Sequence, residues 1–94
     1  MFDIQRKSDG VIALIGRLDA AQVPKAEAVL GQLSGDITVD FAALDYISSS
    51  GLGQLFALYR RVTASGNRLK LVGMTPQVKY VFHLGRLDTV FDIE

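Results

Sequence analysis

The spacing of hydrophobic residues along the 94-residue chain changes several times, and each change marks an element. Phe2 and Ile4 alternate with Asp3 and Gln5, the pattern of a half-buried strand. Ser8-Asp9-Gly10 follows, and Asp-Gly readily supplies the positive φ of a tight hairpin turn. Val11 to Ile15 is a continuous apolar run, which predicts a second strand buried on both faces and paired antiparallel with the first. Gly16-Arg17-Leu18-Asp19 breaks that strand, and Asp19 is the expected N-cap of the next helix. Val23, Ala26, Leu30 and Leu33 recur there at helical spacing, with Pro24 in the tolerant first turn and Ser34-Gly35 at the end.

Ile37, Val39 and Phe41 alternate with Thr38 and Asp40 as a third strand. Leu52, Leu55, Phe56, Tyr59 and Val62 then form the clearest amphipathic stripe in the chain, stopped by Gly66-Asn67. Leu69, Leu71 and Val72 make a fourth strand. Thr75-Pro76 opens a helix with Val78, Val81 and Phe82 inward and Gly85 at its close. Val90, Phe91 and Ile93 read as a short edge strand. The order predicts one α/β domain over residues 1–94, with about three helices on a mixed, mostly parallel sheet of roughly four to five strands. The opening hairpin supplies an antiparallel edge. Sites in such sheets favour the carboxyl ends of the strands.

Composition narrows the function. Lys plus Arg and Asp plus Glu number 10 each, so no basic excess for nucleic acid is visible in the total. The absence of cysteine and a single histidine, His83, argue against a disulfide framework and a thiolate or histidine metal site. No stretch approaches the roughly 20 apolar residues of a membrane helix, and the N-terminus lacks a signal-peptide core. A cytoplasmic protein without membrane attachment is expected.

The strongest functional signal is Ile47-Ser48-Ser49-Ser50-Gly51-Leu52-Gly53, between a strand and a helix. One serine there, Ser49 or Ser50, is expected to cap the helix. Capping leaves the other hydroxyls and two early glycines unexplained, although each glycine costs on the order of 1 kcal/mol in a helix. A bare first turn at the positive end of the dipole suits close approach by a protein backbone or an anion. Enzyme motifs fail: Phe56 replaces the third glycine of a dinucleotide fingerprint, and no lysine follows the glycines as in a phosphate loop. No serine has the glycine of a nucleophile elbow two residues before it, and His83 reads as surface or filler. The expectation is a protein that is not an enzyme.

The stretch VDFAALDYISSSGLGQLFALYRRVTASGNRLKLVGM, followed by PQVKYVFHLGRLDTVFDI, resembles an anti-sigma-factor antagonist of the STAS domain family. Gly16-Arg17-Leu18-Asp19 matches that family's Gly-x-Leu-Asp. The resemblance implies phosphorylation of Ser49, the first of the serine pair before Gly51. Ser48 stands where many members carry aspartate, leaving Ser48 and Ser50 as chemically similar neighbours of the acceptor. Asp19 matches an acidic residue near the phosphosite. The implied partner-binding set is Asp19, Ser48, Ser49, Ser50, Gly51, Leu52 and Gly53. The implied partners are an ATP-dependent serine-kinase anti-sigma factor and a protein serine phosphatase, with no cofactor, nucleic acid or membrane and a monomeric free state. Many relatives continue beyond the position of Glu94 into a further helix, so a shorter helical layer is expected. Two alternatives stand beside this reading: a structural STAS subunit of a transporter or stress-sensing assembly, and a small phosphate or nucleotide binder using the helix N-terminus.

Overall fold

The computed structural model describes residues 1–94. In chain order the elements are β1 (Phe2–Ser8), β2 (Val11–Leu18), α1 (Val23–Leu30), β3 (Ile37–Ile47), α2 (Ser49–Ala64), β4 (Leu69–Val72), α3 (Pro76–Leu84) and β5 (Asp92–Ile93). Short 3-10 turns at Ala20–Gln22 and Leu87–Thr89 precede α1 and β5. One sheet has the order β1-β2-β3-β4-β5, antiparallel between β1 and β2 and parallel elsewhere. This is the expected architecture.

The sheet grows one strand at a time in one direction. Right-handed crossovers then place α1, α2 and α3 on the same face. A single core results: Ile12, Leu14, Val39, Phe41, Leu69 and Leu71 from the strands meet Ala26, Leu30, Leu55, Leu58, Val62, Val78 and Phe82 from the helices. The other face has no helix. Lys7 and Asp40 form an ion pair at 3.2 Å, and the Arg17 guanidinium stacks 4.3 Å from the centre of the Tyr46 ring. Lys70 and Glu94 pair at 3.1 Å. Such long side chains shield apolar surface while keeping their charged heads wet. No helix is long and apolar enough to cross a membrane.

Strand β3 runs six residues beyond the alternation that ends at Phe41. Its register against β2 slips twice: Ala13 and Ile15 pair with Asp40 and Ala43, then Gly16 and Arg17 pair with Leu44 and Tyr46. Each slip inserts a residue, so the inward positions pass from Phe41 to Leu44 to Ile47 at a spacing of three. A period-two reading stops at the first of these bulges.

Four further expectations are corrected. Strand β2 continues through Gly16 to Leu18 instead of breaking. Gly16 has φ +89°, and a Cβ there would collide with the Met1 carbonyl oxygen, so the glycine accommodates the paired N-terminus within a continuing strand. Helix α1 ends at Leu30, before Ser34-Gly35, because the Arg61 guanidinium from α2 takes up the Leu30 and Leu33 carbonyls. On α2 it is Leu58, not Phe56, that completes the inward stripe. The last strand shrinks to Asp92–Ile93, with Phe91 buried just before it and Val90 exposed. Thr75 caps α3 as expected, its hydroxyl accepting from Val78 N–H at 3.3 Å.

The first bulge is fastened by Asp40, whose carboxylate accepts the Ala42 N–H at 2.9 Å. That bond, followed by the Lys7 contact and opposed by burial, holds the Asp40 carboxyl below its ordinary value of 3.8. A folded-state pKa below the unfolded one contributes stability above the ordinary carboxylate range, and this is lost as pH falls through the folded value. Asp40→Asn is therefore expected to lower the urea midpoint at neutral pH. The gap to wild type should close as the pH drops below 3.8. A gap that stays constant into acid would show that the carboxylate is not what holds the bulge.

Candidate functional site

The serine-glycine stretch lies where β3 passes into α2, beside the end of β2. Ser48 has extended backbone (φ −87°, ψ 171°), and its Oγ accepts the Gly51 N–H at 3.1 Å. Its N–H donates to the Leu18 carbonyl at 2.9 Å, and its own carbonyl accepts the Leu52 N–H at 2.9 Å. Ser48 is thus the N-cap, in place of the expected Ser49 or Ser50, with its hydroxyl and both backbone groups engaged. A side-chain oxygen at this position satisfies one of the free amides of the first turn. Ser49 and Ser50 become the first helical residues, both exposed, and neither hydroxyl takes part in a hydrogen bond within the chain. No acidic residue of α2 itself occupies this first turn, so the helix supplies no negative charge of its own at its positive end.

The two glycines have different reasons to be glycine. Gly51 is buried, and a Cβ on it would lie 2.8 Å from Ile47 Cγ1 and 2.9 Å from both Leu18 Cγ and the Leu18 carbonyl oxygen. Its bareness lets α2 sit directly on the ends of β2 and β3. It does not present an open surface as the sequence reading supposed. Gly53 does: it is exposed, and a Cβ there would meet nothing within 4 Å. No contact inside the molecule accounts for it. Leu52, between them, is half-buried against the core and anchors the turn.

Asp19 follows Leu18, whose carbonyl holds Ser48, so the Asp19 and Ser49 loops lie side by side at the carboxyl ends of neighbouring strands. Asp19 stands at the N-cap position of the 3-10 turn, but its side chain makes no capping bond. Its Oδ1 is buried without any hydrogen-bond partner. An acceptor left in this way costs about 1–3 kcal/mol, so the loop carries an unmet demand for a donor. Sequence reasoning missed Leu18 and Ile47 as the surface that receives Gly51, and also the Arg17–Tyr46 pair one register step away. Only the parallel pairing of β2 with β3 reveals them.

His83 lies elsewhere. Helices here run antiparallel to the strands, so the last turn of α3 is at the opposite end of the sheet from Ser49. Its Nδ1 is 2.9 Å from Asp88 Oδ2, and this hydrogen bond holds the Asp88 carboxyl below its ordinary range. No cluster of three or more His, Asp or Glu side chains is placed to hold a metal ion.

The two glycines should respond with opposite signs to the same change. Gly51→Ala is expected to destabilise by about 1–3 kcal/mol through overpacking, and Gly53→Ala to stabilise by roughly 0.5–1 kcal/mol. Ser48→Ala should cost about 1 kcal/mol, and Ser48→Asp should keep the cap. Urea denaturation of the four variants checks this. Equal effects of the two glycine changes would refute the packing assignment.

Comparison with known proteins bears on the family and the fold. The family model described as Mlab, STAS domain, matches residues 2–93. No curated protein sequence matches the chain. Among solved structures, an anti-sigma factor antagonist from Mycobacterium paratuberculosis is similar at TM-score 0.80 and 23% identity, over 99% of this chain and 83% of that one. The anti-sigma factor antagonist SpoIIAA in its unphosphorylated form gives 0.70 and 22%, over 100% of this chain and 87% of that one. The Bacillus cell fate determinant SpoIIAA in its phosphorylated form gives 0.69 and 20%, over 100% and 91%. At these identities the structural likeness concerns the fold, and it is the family model, spanning nearly every residue, that shows the chain to be a member of the STAS domain family.

Proposed function

We propose that this protein is an anti-sigma-factor antagonist that works by partner switching, with Ser49 as its phosphorylated switch. The observation that carries the reading is the pairing of an exposed, unbonded Ser49 with an exposed Gly53 one helical turn on, a glycine that nothing inside the molecule requires. A helix start kept smooth at a cost in helix propensity fits close docking of another protein. Unphosphorylated, the domain docks this surface on a serine-kinase anti-sigma factor and so releases the sigma factor or other captive regulator. Asp19, whose Oδ1 is buried without a donor in the chain, borders this surface from the neighbouring strand end.

The kinase then transfers the γ-phosphoryl group of its ATP to Ser49. The Ser49 Oγ–P bond forms, the bond to the β-phosphate oxygen breaks, the hydroxyl proton leaves and ADP departs. A phosphate adds about −1.5 to −2 charges and three acceptor oxygens to the docking face. A hundredfold loss of affinity needs only about 2.8 kcal/mol. In the free domain the same group sits at the N-terminus of α2, whose dipole favours an anion and offsets part of the repulsion from Asp19 alongside. The fold needs no change, and the chain is as similar to SpoIIAA phosphorylated as unphosphorylated, at TM-scores of 0.69 and 0.70. A protein serine phosphatase resets the switch. The domain acts as a monomeric cytoplasmic ligand and catalyses nothing itself.

Ser49→Ala is expected to abolish most phosphate incorporation by the kinase while still binding it. Ser49→Asp should weaken binding, though less than phosphate, because it carries one charge and fewer acceptors. Gly53→Arg should weaken it about a hundredfold or more by steric block, with the fold intact. Titration of the three variants, with tandem mass spectrometry of the phosphosite, decides the matter. Equal affinity for wild type, Ser49→Asp and Gly53→Arg would exclude this surface as the switch. A stable complex with a transporter ATPase and an unmodified Ser49 would favour a structural subunit instead.

A further inference from the structure

We infer that the partner surface receiving α2 is acidic, takes Phe56 as an aromatic anchor and meets Arg60 with a carboxylate; this rests on the partner-switching reading and names the chemistry of its partner.

The zero net charge conceals a segregation along the chain. Between Asp45 and Asp88 there is no Asp or Glu, while Arg60, Arg61, Arg68, Lys70, Lys79 and Arg86 all fall there. Three of these are committed inside the molecule. Arg68 pairs with Asp92 at 3.4 Å, Lys70 with Glu94 at 3.1 Å, and Arg61 binds the α1 carbonyls. Arg60, Lys79 and Arg86 take part in none of the ion pairs. Helices α2 and α3 therefore carry basic residues and no carboxylate of their own, and Asp88, just after α3, is already bound to His83.

Ser49, Gly53, Phe56 and Arg60 lie at i, i+4, i+7 and i+11 on α2, one continuous face about 16 Å long. All four are exposed. Phe56 is 38% exposed and lies outside the core, yet it is not loose. Its ring stacks on Tyr59 at 6.3 Å, Tyr59 meets Phe91 edge-on at 5.3 Å, Phe91 meets Phe82 at 5.6 Å, and Phe82 meets the fully buried Phe41 at 5.8 Å. A ladder of rings thus runs from the core to the surface and presents Phe56 with its rotamer already restricted. An aromatic ordered in advance loses little entropy on docking, the property of a binding hot spot. Arg60, with no partner of its own, completes the stripe.

The test is a kinetic titration of the anti-sigma serine kinase against wild type, Arg60→Glu, Arg60→Gln, Phe56→Ala, Ser49→Asp and the β1 control Arg6→Glu, at two salt concentrations. Thermal melts confirm that each is folded. Arg60→Glu should weaken binding about 10- to 100-fold, chiefly through slower association, and flatten its salt dependence. Arg60→Gln should show a smaller loss of the same kind. Phe56→Ala should weaken binding about tenfold or more through faster dissociation, with Arg6→Glu unchanged. If Ser49→Asp releases the kinase while the Arg60 and Phe56 variants bind like wild type, this inference falls and the partner-switching reading stands. If wild type binds no such kinase, both fall. Binding to a duplex oligonucleotide that Arg60→Glu abolishes would assign the face to nucleic acid and overturn the proposal.

Discussion

The first turn of α2 rests directly on the ends of β2 and β3, and the absence of a Cβ at Gly51 is what permits it. Leu18 and Ile47 fill the space that any side chain would need. Because the helix sits this close, the Leu18 carbonyl can hold the Ser48 amide, Ser48 can cap the helix, and the next two serines are turned outward. The two bulges in β3 serve the same end, keeping Leu44 and Ile47 in the core while the strand is carried far enough to deliver the loop. Packing at one glycine thereby sets the exposure of Ser49.

The other side of that turn has no internal partner. A side chain at Gly53 would touch nothing, the Ser49 and Ser50 hydroxyls are unbonded, and an Asp19 oxygen is buried without a donor. Natural domains rarely leave so many local conflicts in one place, and such concentrations are where function is expected. Elsewhere a single core is continuous across the sheet and all three helices, and Thr75 caps α3. The contrast between a settled scaffold and an unsettled surface fits a docking site whose missing contacts come from outside.

Much of this was legible in the sequence, for identifiable reasons. The strand and helix order, the hairpin at Asp9-Gly10 and the Thr75-Pro76 helix start are local signals that tertiary packing reinforces. The serine-glycine stretch stood out because such a run is improbable as mere punctuation. Its internal division of labour was not legible. Which serine caps depends on where β3 ends, and two bulges hide that end from a period-two reading. The separation of Gly51 from Gly53 depends on the approach of Leu18, a contact across parallel strands that leaves no trace in spacing. Phe56 falls at helical spacing with the inward stripe, yet it sits on the shoulder of α2, and Leu58 takes the core position. Charge was obscured by its sum, since balanced totals say nothing about distribution.

The central claim is that phosphorylation changes the surface at Ser49 and leaves the fold alone. Phosphoserine placed genetically at position 49 allows amide hydrogen exchange and amide chemical shifts to be compared with the unmodified protein without any kinase. The expected result is shifts confined to the loop carrying Asp19 and to the first turns of α2, with exchange protection of β2, β3 and β4 unchanged. Loss of protection across the sheet, or shifts spread through α1 and α3, would mean that the switch works by refolding, contrary to this account.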